Sequence, residues 1–272
     1  EDNVIITRKL LAFVLGVEKQ YLVIHLADEL NAEDYIKFKE NINKLINGKP
    51  LQYITNNQEF MGLNFFVNEN VLIPQPDTEI IVEETLKKSK ELLLKNVKIN
   101  ILDLCTGSGA IAVSLSNFLG DEAEVFASDI STKALEVAKY NNGKNNTNVR
   151  FIESNLFENI QEQKFNIIVS NPPYIRSDEI PHLMPEVSVF EPHEALDGSE
   201  DGLLFYRRII KDCRANLKPH GRLLFEIGCD QGRQVSQMMQ FAGFSDVQVI
   251  KDLAGNDRVV SGVFDSKEEK HV

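Results

Sequence analysis

The sequence predicts an α/β protein in which a mostly parallel sheet is covered by helices on both faces and preceded by a small all-α domain. Residues 97 to about 264 alternate between short, β-branched apolar runs and amphipathic helical segments, whereas residues 4–48 show only helical periodicity. The last two apolar runs follow one another with no helix between them. This predicts an antiparallel hairpin at one edge of the sheet.

Three parts of the chain are expected: a helical domain that recognises a partner, a β-hairpin linker and the α/β catalytic domain, at residues 1–49, 50–76 and 77–272. In the first part, Asn31-Ala-Glu-Asp is typical of a helix start. In the second, residues 60–73 alternate in polarity and carry turn residues, which predicts the hairpin. The third part opens with Asp77 or Thr78 as the N-cap of a helix that runs to about Leu94.

Within the α/β part, the order of strands and helices follows from apolar periodicity. Strands are expected at residues 99–104, 125–128, 149–152, 167–169, 222–227, 247–250 and 259–264. Helices are expected at residues 109–119, 131–141, 202–217 and 231–242. A solvated tail is expected at residues 267–272.

Composition narrows the classes of function. No apolar run reaches the length of a membrane span, no signal peptide is visible, and three cysteines with no metal-ligand spacing suit a reducing compartment, so we expect a cytoplasmic protein without a metal. The net charge is −12, and residues 1–80 hold 7 Lys/Arg against 12 Asp/Glu. A protein that grips a phosphate backbone normally carries positive charge. We therefore expect no direct grip on nucleic acid, no membrane partner and, since no long heptad run occurs, a monomer.

A tetrapeptide after one predicted strand carries specific chemistry. The run 167–169 ends in Asn171-Pro-Pro-Tyr, and proline cannot continue a sheet ladder, so Asn171 lies at the carboxyl edge where open α/β sheets bind ligands. Asn-Pro alone would indicate only a turn. Here the Asn171 side-chain oxygen and the Pro172 carbonyl can accept both hydrogens of a planar –NH₂ group, and Tyr174 offers a ring for stacking. We expect these three residues to be catalytic and, with Pro173, to bind the substrate.

A glycine-containing loop after the first strand of the α/β part predicts a nucleoside cofactor. The glycines of Asp103-Leu-Cys-Thr-Gly-Ser-Gly let the backbone approach a ligand, but the loop lacks the full dinucleotide-binding spacing. Asp129, at the end of the next strand, is placed to bind two ribose hydroxyls, which fits a nicotinamide cofactor and S-adenosylmethionine alike. Asp103 favours S-adenosylmethionine, because a carboxylate beside the loop repels a pyrophosphate but suits a cationic amino-acid group.

The segment Ser154-Asn-Leu-Phe, after the third strand, is expected to flank the adenine. Phe157 in this segment is either a packing surface for the base or a plain core residue. The expected cofactor-binding residues are Asp103, Thr106, Gly107, Ser108, Gly109, Asp129, Ile130, Asn155, Phe157 and Asn171.

Together these motifs resemble those of the HemK/PrmC family, the glutamine methyltransferases that modify peptide-chain release factors. The resemblance covers nearly the whole chain and rests on Pro50-Leu-Gln-Tyr-Ile with Glu59-Phe60, Leu72-Ile-Pro-Gln-Pro-Asp-Thr-Glu, Asp103-Leu-Cys-Thr-Gly-Ser-Gly, Asn171-Pro-Pro-Tyr, Glu191-Pro-His-Glu-Ala-Leu-Asp-Gly and Ala254-Gly-Asn-Asp-Arg. Many amino-methyltransferases, including adenine-modifying DNA enzymes, share the Asn171 block. The block around Asp77 and the helical N-terminal part are therefore the discriminating features.

The resemblance implies a Rossmann-like, seven-stranded methyltransferase sheet with S-adenosylmethionine over its carboxyl edge. It also implies that a Gly-Gly-Gln loop of a release factor enters the pocket, where Asn171 and Pro172 hold the glutamine amide near Tyr174. Transfer would then depend mostly on positioning, and no general base is evident. Two other hypotheses stay open: an amino-methyltransferase acting on adenine or guanine of nucleic acid, which the acidic charge disfavours, and a methyltransferase fold kept only for docking.

Two positions depart from the family pattern. Gln75 stands where arginine is common, which removes a charge near the linker, and Cys105 stands where glycine is common, a change that the loop accepts if its backbone there needs no positive φ. The block that begins at Glu191 is expected to form a loop over the same sheet edge, with Glu191 and Glu194 either contacting the protein substrate or capping helices. The basic residues at 207–214 are expected on a solvated helix face.

Overall fold

The structure is a computed structural model that describes residues 2–95, 98–160 and 163–265. The predicted solvated tail at residues 267–272 lies outside the described residues. None of the helices within the described residues is long and apolar enough to cross a membrane.

The described chain opens with four helices: α1 (Asp2–Leu15), α2 (Lys19–Ile24), α3 (Ala32–Ile46) and α4 (Leu51–Thr55). The first three confirm the predicted helical N-terminal region, whereas α4 lies in the predicted linker, where no helix was expected. Asn31 begins α3 as expected, since its side-chain oxygen accepts the backbone N–H of Asp34 at 2.9 Å. Leu10 of α1 is fully buried among these helices, and Leu22 of α2 is nearly so. The helical core is small, because many apolar side chains around it stay exposed.

The linker contains a hairpin, but a shorter and earlier one than the sequence predicted. Its strands are β1 (Gln58–Phe60) and β2 (Leu63–Phe65), joined by a tight turn in which Met61 and Gly62 both have positive φ. The expectation that strands continue to residue 73 is wrong. Beyond β2 the backbone bonds to a side chain instead of a strand: Asn141 accepts the Phe66 N–H at 2.7 Å and donates to the Phe66 carbonyl at 2.9 Å.

The α/β part supplies the remaining elements. Its helices are α5 (Glu79–Leu93), α6 (Ala110–Leu119), α7 (Thr132–Lys144), α8 (Pro185–Ser188), α9 (Leu204–Asp212) and α10 (Gly232–Phe241). Its strands are β3 (Ile99–Leu104), β4 (Ala123–Asp129), β5 (Val149–Glu153), β6 (Phe165–Ser170), β7 (Leu217–Glu226), β8 (Phe244–Lys251) and β9 (Asp257–Phe264).

These seven strands form one sheet in the order β5-β4-β3-β6-β7-β9-β8. The first five strands in this order are parallel, while β9 pairs antiparallel with both β7 and β8, so the predicted mostly parallel sheet with an antiparallel edge is confirmed. The strand order reverses between β3 and β6. In an open α/β sheet the crevice beyond the carboxyl ends of two such strands is the place where ligands bind.

Both faces of the sheet are covered, which explains the continuous apolar runs. Leu102 and Ile168 point into one buried cluster and Ile101 and Ile167 into the other, as the period of two requires. The linker hairpin and α5 pack against the second cluster. The α/β part therefore holds the linker in place beside the carboxyl edge.

The predicted helix at residues 202–217 is too long. The helix α9 ends at Asp212, and a single 3₁₀ turn, Cys213–Ala215, leads into β7. Leu217 is already paired with Phe165 of β6, and a register shift before Ile167 accommodates this early pairing. Tertiary strand pairing therefore outweighs local helical periodicity at the end of this segment.

Candidate active site

The loop after β3 brings backbone amides to the carboxyl edge of the sheet. Gly107 and Gly109 have φ of +54° and +81°, which glycine adopts without steric cost. Gly109 is also the N-cap of α6, where a Cβ would lie 3.1 Å from the Ala138 Cβ of α7. Cys105 has φ of +60°, so the condition under which the loop would accept this residue without strain is not met.

A cavity of about 390 Å³ lies at this edge, between the glycine loop, the linker and the chain that follows β6. This volume falls within the usual range for small-molecule sites. The predicted site residues on its wall are Thr106, Gly107, Ser108, Asp129, Ile130, Asn155, Asn171 and Pro173. The structure thus brings residues from the ends of β3, β4, β5 and β6 to one cavity.

Asp129 is held rigidly on the cavity wall. One of its carboxylate oxygens accepts the Gly107 N–H and the other accepts the Ser131 N–H, both at 2.9 Å. Burial raises the pKa of Asp129, while the N–H groups of Ser131 and Gly107 lower it. The lone pairs that these N–H groups leave free let Asp129 accept hydroxyl hydrogens from a ligand.

Asp103, by contrast, lies behind the cavity wall. Its side chain is fully buried, and its Oδ2 atom accepts the Thr106 hydroxyl at 2.6 Å and the Ala112 N–H at 3.2 Å. Burial raises its pKa to about 7. Its Oδ1 atom is buried and has no hydrogen-bond partner among the described residues. Thr106 therefore separates Asp103 from the cavity, and the contact predicted for Asp103 with a cationic group stays a prediction.

Asn171 leaves the sheet at the switch point. The preceding Ser170 is fully buried, and its hydroxyl donates to the Leu104 carbonyl at 2.8 Å, which ties the end of β6 to the end of β3. The Asn171 Nδ2 atom lies 3.4 Å from the Thr78 hydroxyl oxygen. Pro173 lies on the cavity wall, whereas Pro172 is buried and does not line it.

The ring of Tyr174 packs against the buried cluster instead of lining the cavity. Its carbonyl accepts the Gln231 side-chain amide at 2.9 Å. The backbone beside Tyr174 is crowded, because a Cβ at Gly198 would lie 2.8 Å from the Tyr174 Cα and one at Gly202 would meet its carbonyl oxygen. Glycine at these two positions therefore lets the loop after β6 pack closely against the Asn171 tetrapeptide.

Two further predicted residues do not line the cavity. Phe157 packs, partly buried, against the first core cluster, and Gly109 lies under the loop against α7. A direct role of Phe157 beside an adenine ring stays a prediction, and the core alternative has the geometric support.

Several residues on the cavity wall were not predicted as site residues. Thr78 stands at the N-cap of α5 but its side chain makes no capping hydrogen bond and faces Asn171. Arg208, expected on a solvated helix face, is half-buried on the wall and donates to the Asn155 side-chain oxygen at 3.0 Å. Gln75 also lines the cavity, and so does Glu194, whose loop was expected over this edge of the sheet. Hydrophobic periodicity places a residue on a helix but does not show which exposed position faces a neighbouring loop, so Arg208 gave no sequence signal.

Glu226, at the carboxyl end of β7, is the other unpredicted feature. It is 3% exposed, and burial raises its pKa to about 7, opposed by a hydrogen bond from Thr78, the charge of Arg258 and a hydrogen bond from Asn171. Arg258 in turn pairs with Asp77 at 2.8 Å. The sequence signal is a single acidic residue that ends the apolar run of β7.

Family models match two parts of this chain: the PrmC N-terminal domain matches residues 1–55, and the methyltransferase small domain matches residues 78–187. The release factor glutamine methyltransferase of Clostridium acetobutylicum is 43% identical over 258 residues, covering 93% of this chain and 89% of that protein. The protein of the same name from Fusobacterium nucleatum is 42% identical, covering 93% and 71%.

A solved structure supports the same fold. The 16S rRNA N2 G1207 methyltransferase of Thermus thermophilus, in complex with AdoMet and guanosine, aligns with a TM-score of 0.55 at 16% identity, covering 76% of this chain and 49% of that one. At that identity the likeness concerns the fold alone. The identity and coverage of the two bacterial relatives go further, and this chain belongs to the release factor glutamine methyltransferase family.

Proposed function

We propose that this chain transfers a methyl group from S-adenosylmethionine to the side-chain amide nitrogen of the glutamine in the Gly-Gly-Gln loop of a peptide-chain release factor. The observation that carries the proposal is the position of Asn171, whose polar side chain lies at the switch point on the wall of the cavity that Gly107 and Asp129 also line. Membership of the family supports the choice of a glutamine amide as the acceptor.

The residues present fit S-adenosylmethionine. Asp129 has free lone pairs for the ribose hydroxyls, and Ile130 and Asn155 line the wall where the adenine would lie. The buried Oδ1 atom of Asp103, behind Thr106, has no partner among the described residues, and in our proposal it serves as the acceptor for the cationic amino-acid group. When bound, S-adenosylmethionine supplies an electrophilic methyl group.

The proposed site acts mainly by orienting the nitrogen of the acceptor amide towards the methyl group. Its nitrogen lone pair is delocalised into the carbonyl, so it is a weak nucleophile. In our proposal the Asn171 Oδ1 atom and the Pro172 carbonyl accept its two hydrogens, and Pro173 lies beside it on the cavity wall. The Tyr174 ring packs against the core behind the wall, so it supports the tetrapeptide instead of contacting the amide. These acceptors favour the positive charge that develops on the nitrogen during attack. The proton that is lost passes to solvent in this scheme.

The exposed apolar side chains of the N-terminal helices support a role for residues 1–49 in recognising the release factor. Ile24 of α2 is 80% exposed and Ile36 of α3 is 57% exposed. Exposed apolar surface of this kind is typical of protein interaction sites. In this proposal residues 1–49 bind the protein substrate and residues 77–272 transfer the methyl group. Residues 50–76 link these two domains.

One observation favours the alternative acceptor, an amino group of adenine or guanine in nucleic acid. A groove beside the cavity is lined by four basic residues, Lys164, Arg208, Lys211 and Arg214. The net charge of −12 opposes a general affinity for phosphate backbones. The glutamine of a release factor is therefore the acceptor we propose.

The proposed function is tested by methyl transfer from labelled S-adenosylmethionine to unmodified release factor, to the same factor with Gln→Ala in its Gly-Gly-Gln loop, and to duplex DNA and RNA. We expect label on the wild-type factor only, with the added mass on the glutamine side chain. Label on nucleic acid, or equal label on the Gln→Ala factor, would contradict the proposal.

A further inference from the structure

The Glu226 carboxyl group lies beside Asn171, yet the reaction proposed above gives it no part. Ser170 pairs with Phe225 across β6 and β7, so Asn171 and Glu226 follow in register on neighbouring strands, and hydrogen bonding by Thr78 and Asn171 lowers the pKa of the carboxyl group. Its Oε2 atom is buried and makes no hydrogen bond within the part of the chain that the structure describes. A buried carboxyl group with an unused acceptor is unfavourable for stability, so its place next to the proposed catalytic residue needs a reason.

The side-chain amide of Asn171 has two ends of nearly equal shape, and only one of them suits the acceptor. The Asn171 oxygen can accept a hydrogen from the –NH₂ group of the substrate. The Asn171 nitrogen cannot, because its own two hydrogens would face the hydrogens of the substrate. Nothing in asparagine itself selects between the two orientations. Neighbouring groups have to impose the correct one.

An ionised Glu226 imposes the correct orientation of the Asn171 amide, because a carboxylate can only accept hydrogen bonds. When the Thr78 hydroxyl donates to Glu226, its lone pairs remain available to the Asn171 Nδ2 atom, 3.4 Å away. The second hydrogen of the same Nδ2 group is then left for Glu226, whose pKa the Asn171 side chain lowers by hydrogen bonding. With both hydrogens used in this way, Asn171 presents its oxygen to the cavity.

We propose that Glu226 is the positioning residue that holds the Asn171 amide with its oxygen towards the acceptor nitrogen. The inference rests on the function proposed above and extends it to a residue outside the cavity. Glu226 does not line the cavity, so it acts through Asn171 and not as a base on the substrate.

Charged and titratable groups surround Glu226 on every side. They are Asp77 before α5, Tyr174 after β6, Tyr206 on α9 and Arg258 on β9. Burial raises the pKa of Glu226 to about 7, and the positive charge of Arg258, itself paired with Asp77, keeps the pKa from rising further. The two sequence blocks around Asp77 and Arg258 therefore meet at this carboxyl group.

The protonation state of Glu226 decides what it imposes. Above about pH 7 the carboxylate is ionised and selects the productive orientation of Asn171. Below that pH a protonated Glu226 can donate to the Asn171 oxygen. The side-chain amide can then rotate so that its nitrogen, and not its oxygen, faces the cavity. The rate of methyl transfer should therefore fall as the pH drops through about 7.

The test is the E226Q variant, whose side-chain amide can donate or accept and no longer dictates a direction. We expect kcat for release factor methylation to fall about 10- to 100-fold, the effect of losing one hydrogen bond to a charged group. The affinity for S-adenosylmethionine, measured by calorimetry, should stay at the wild-type value. The fall of kcat below about pH 7 should be present in the wild type and absent in E226Q.

Glu191 offers a matched control. It is also buried, its pKa is also raised to about 7 by burial, and it also has an unpartnered oxygen, but its hydrogen bond comes from the backbone of Ile73. E191Q should keep the wild-type pH profile of kcat, and the loss of a contact between Glu191 and the protein substrate would raise KM instead. T78V provides a second variant, because it removes the hydroxyl that connects Glu226 to Asn171. It should lower kcat and leave the affinity for S-adenosylmethionine unchanged.

In an N171A background, E226Q should cause no further loss, because the two residues act as one unit. A wild-type kcat and pH profile in E226Q would overturn the inference. So would an equal loss in E191Q, or a parallel loss of cofactor binding and melting temperature, since these indicate a structural role only. If the wild type methylated no release factor, the proposed function would fail as well. An active wild type with equally active E226Q would overturn this inference alone.

Discussion

The N-terminal helices and the carboxyl edge of the sheet are built on opposite plans. Of the twenty large apolar side chains exposed in the described residues, eleven lie between Val4 and Ile46. At the sheet edge polar groups are buried instead, and Asp103 and Glu226 are almost completely removed from solvent. Burying polar groups fixes their orientation but lowers the stability of the fold. Exposed apolar surface of this extent is typical of sites that bind another protein. In our proposal the sheet edge positions the reacting group, and the N-terminal helices recognise the protein substrate.

The strongest test of the sheet edge is N171A. Removing the oxygen that orients the acceptor should lower kcat about 10²- to 10³-fold, the effect of losing one preorganised polar contact. Calorimetry should show S-adenosylmethionine binding close to that of the wild type. Equal losses of binding and turnover would contradict the division of labour between Asn171 and Asp129.

A second test concerns Asp129. D129N should weaken S-adenosylmethionine binding about 10- to 100-fold, because it replaces a charged acceptor of two ribose hydroxyls. The control is E153Q: Glu153 ends the neighbouring strand in register with Asp129 but is exposed and away from the cavity. E153Q should bind the cofactor normally. A comparable loss in both variants would point to a general effect of charge.

A third test probes the apolar surface of the helices. I24E should raise KM for the release factor about tenfold, the effect of one lost apolar contact of about 1.4 kcal/mol, with kcat and cofactor affinity unchanged. L94E is the matched control, since Leu94 is equally apolar and 86% exposed but follows α5 in the α/β part. Unchanged kinetics in I24E would remove this part of α2 from the docking surface.

The smallest expected effect is at Cys105, in the glycine loop. A residue with a Cβ at φ of +60° carries strain of about 1–2 kcal/mol. C105G relieves this strain but gives the unfolded chain more entropy, worth about 0.5–1 kcal/mol, so the free energy of unfolding should rise by about 0–1.5 kcal/mol. Denaturant unfolding measures this difference. C105A keeps the Cβ and should show no gain; a gain in C105A equal to that in C105G would contradict strain as the cause.

The order of elements in the α/β part could be predicted because its strands are buried on both faces. Four of the six residues of Ile99–Leu104 are apolar and buried, and the predicted bounds of this strand agree with the structure. The linker could not be predicted as well. Its backbone is satisfied by the side chain of Asn141, 75 residues away, and no local pattern reveals such a partner.

The candidate site divides in the same way. The sequence by itself determined that Asn171 leaves a strand at the carboxyl edge, because proline ends a ladder, and that glycines open the loop after β3, because only glycine adopts positive φ without strain. It also indicated that an acidic residue would follow the next strand.

Only the tertiary structure decided which aspartate faces the cavity and which lies behind it, since both follow apolar runs and the choice depends on what packs above each strand end. It also brought Glu226 to Asn171 and Thr78. Glu226 pairs with Val259 across β7 and β9, which places Arg258 beside it, and α5 delivers Thr78 from the other side. Long-range pairing of strands sets these contacts, and residues that lie far apart in sequence carry no local signal of it.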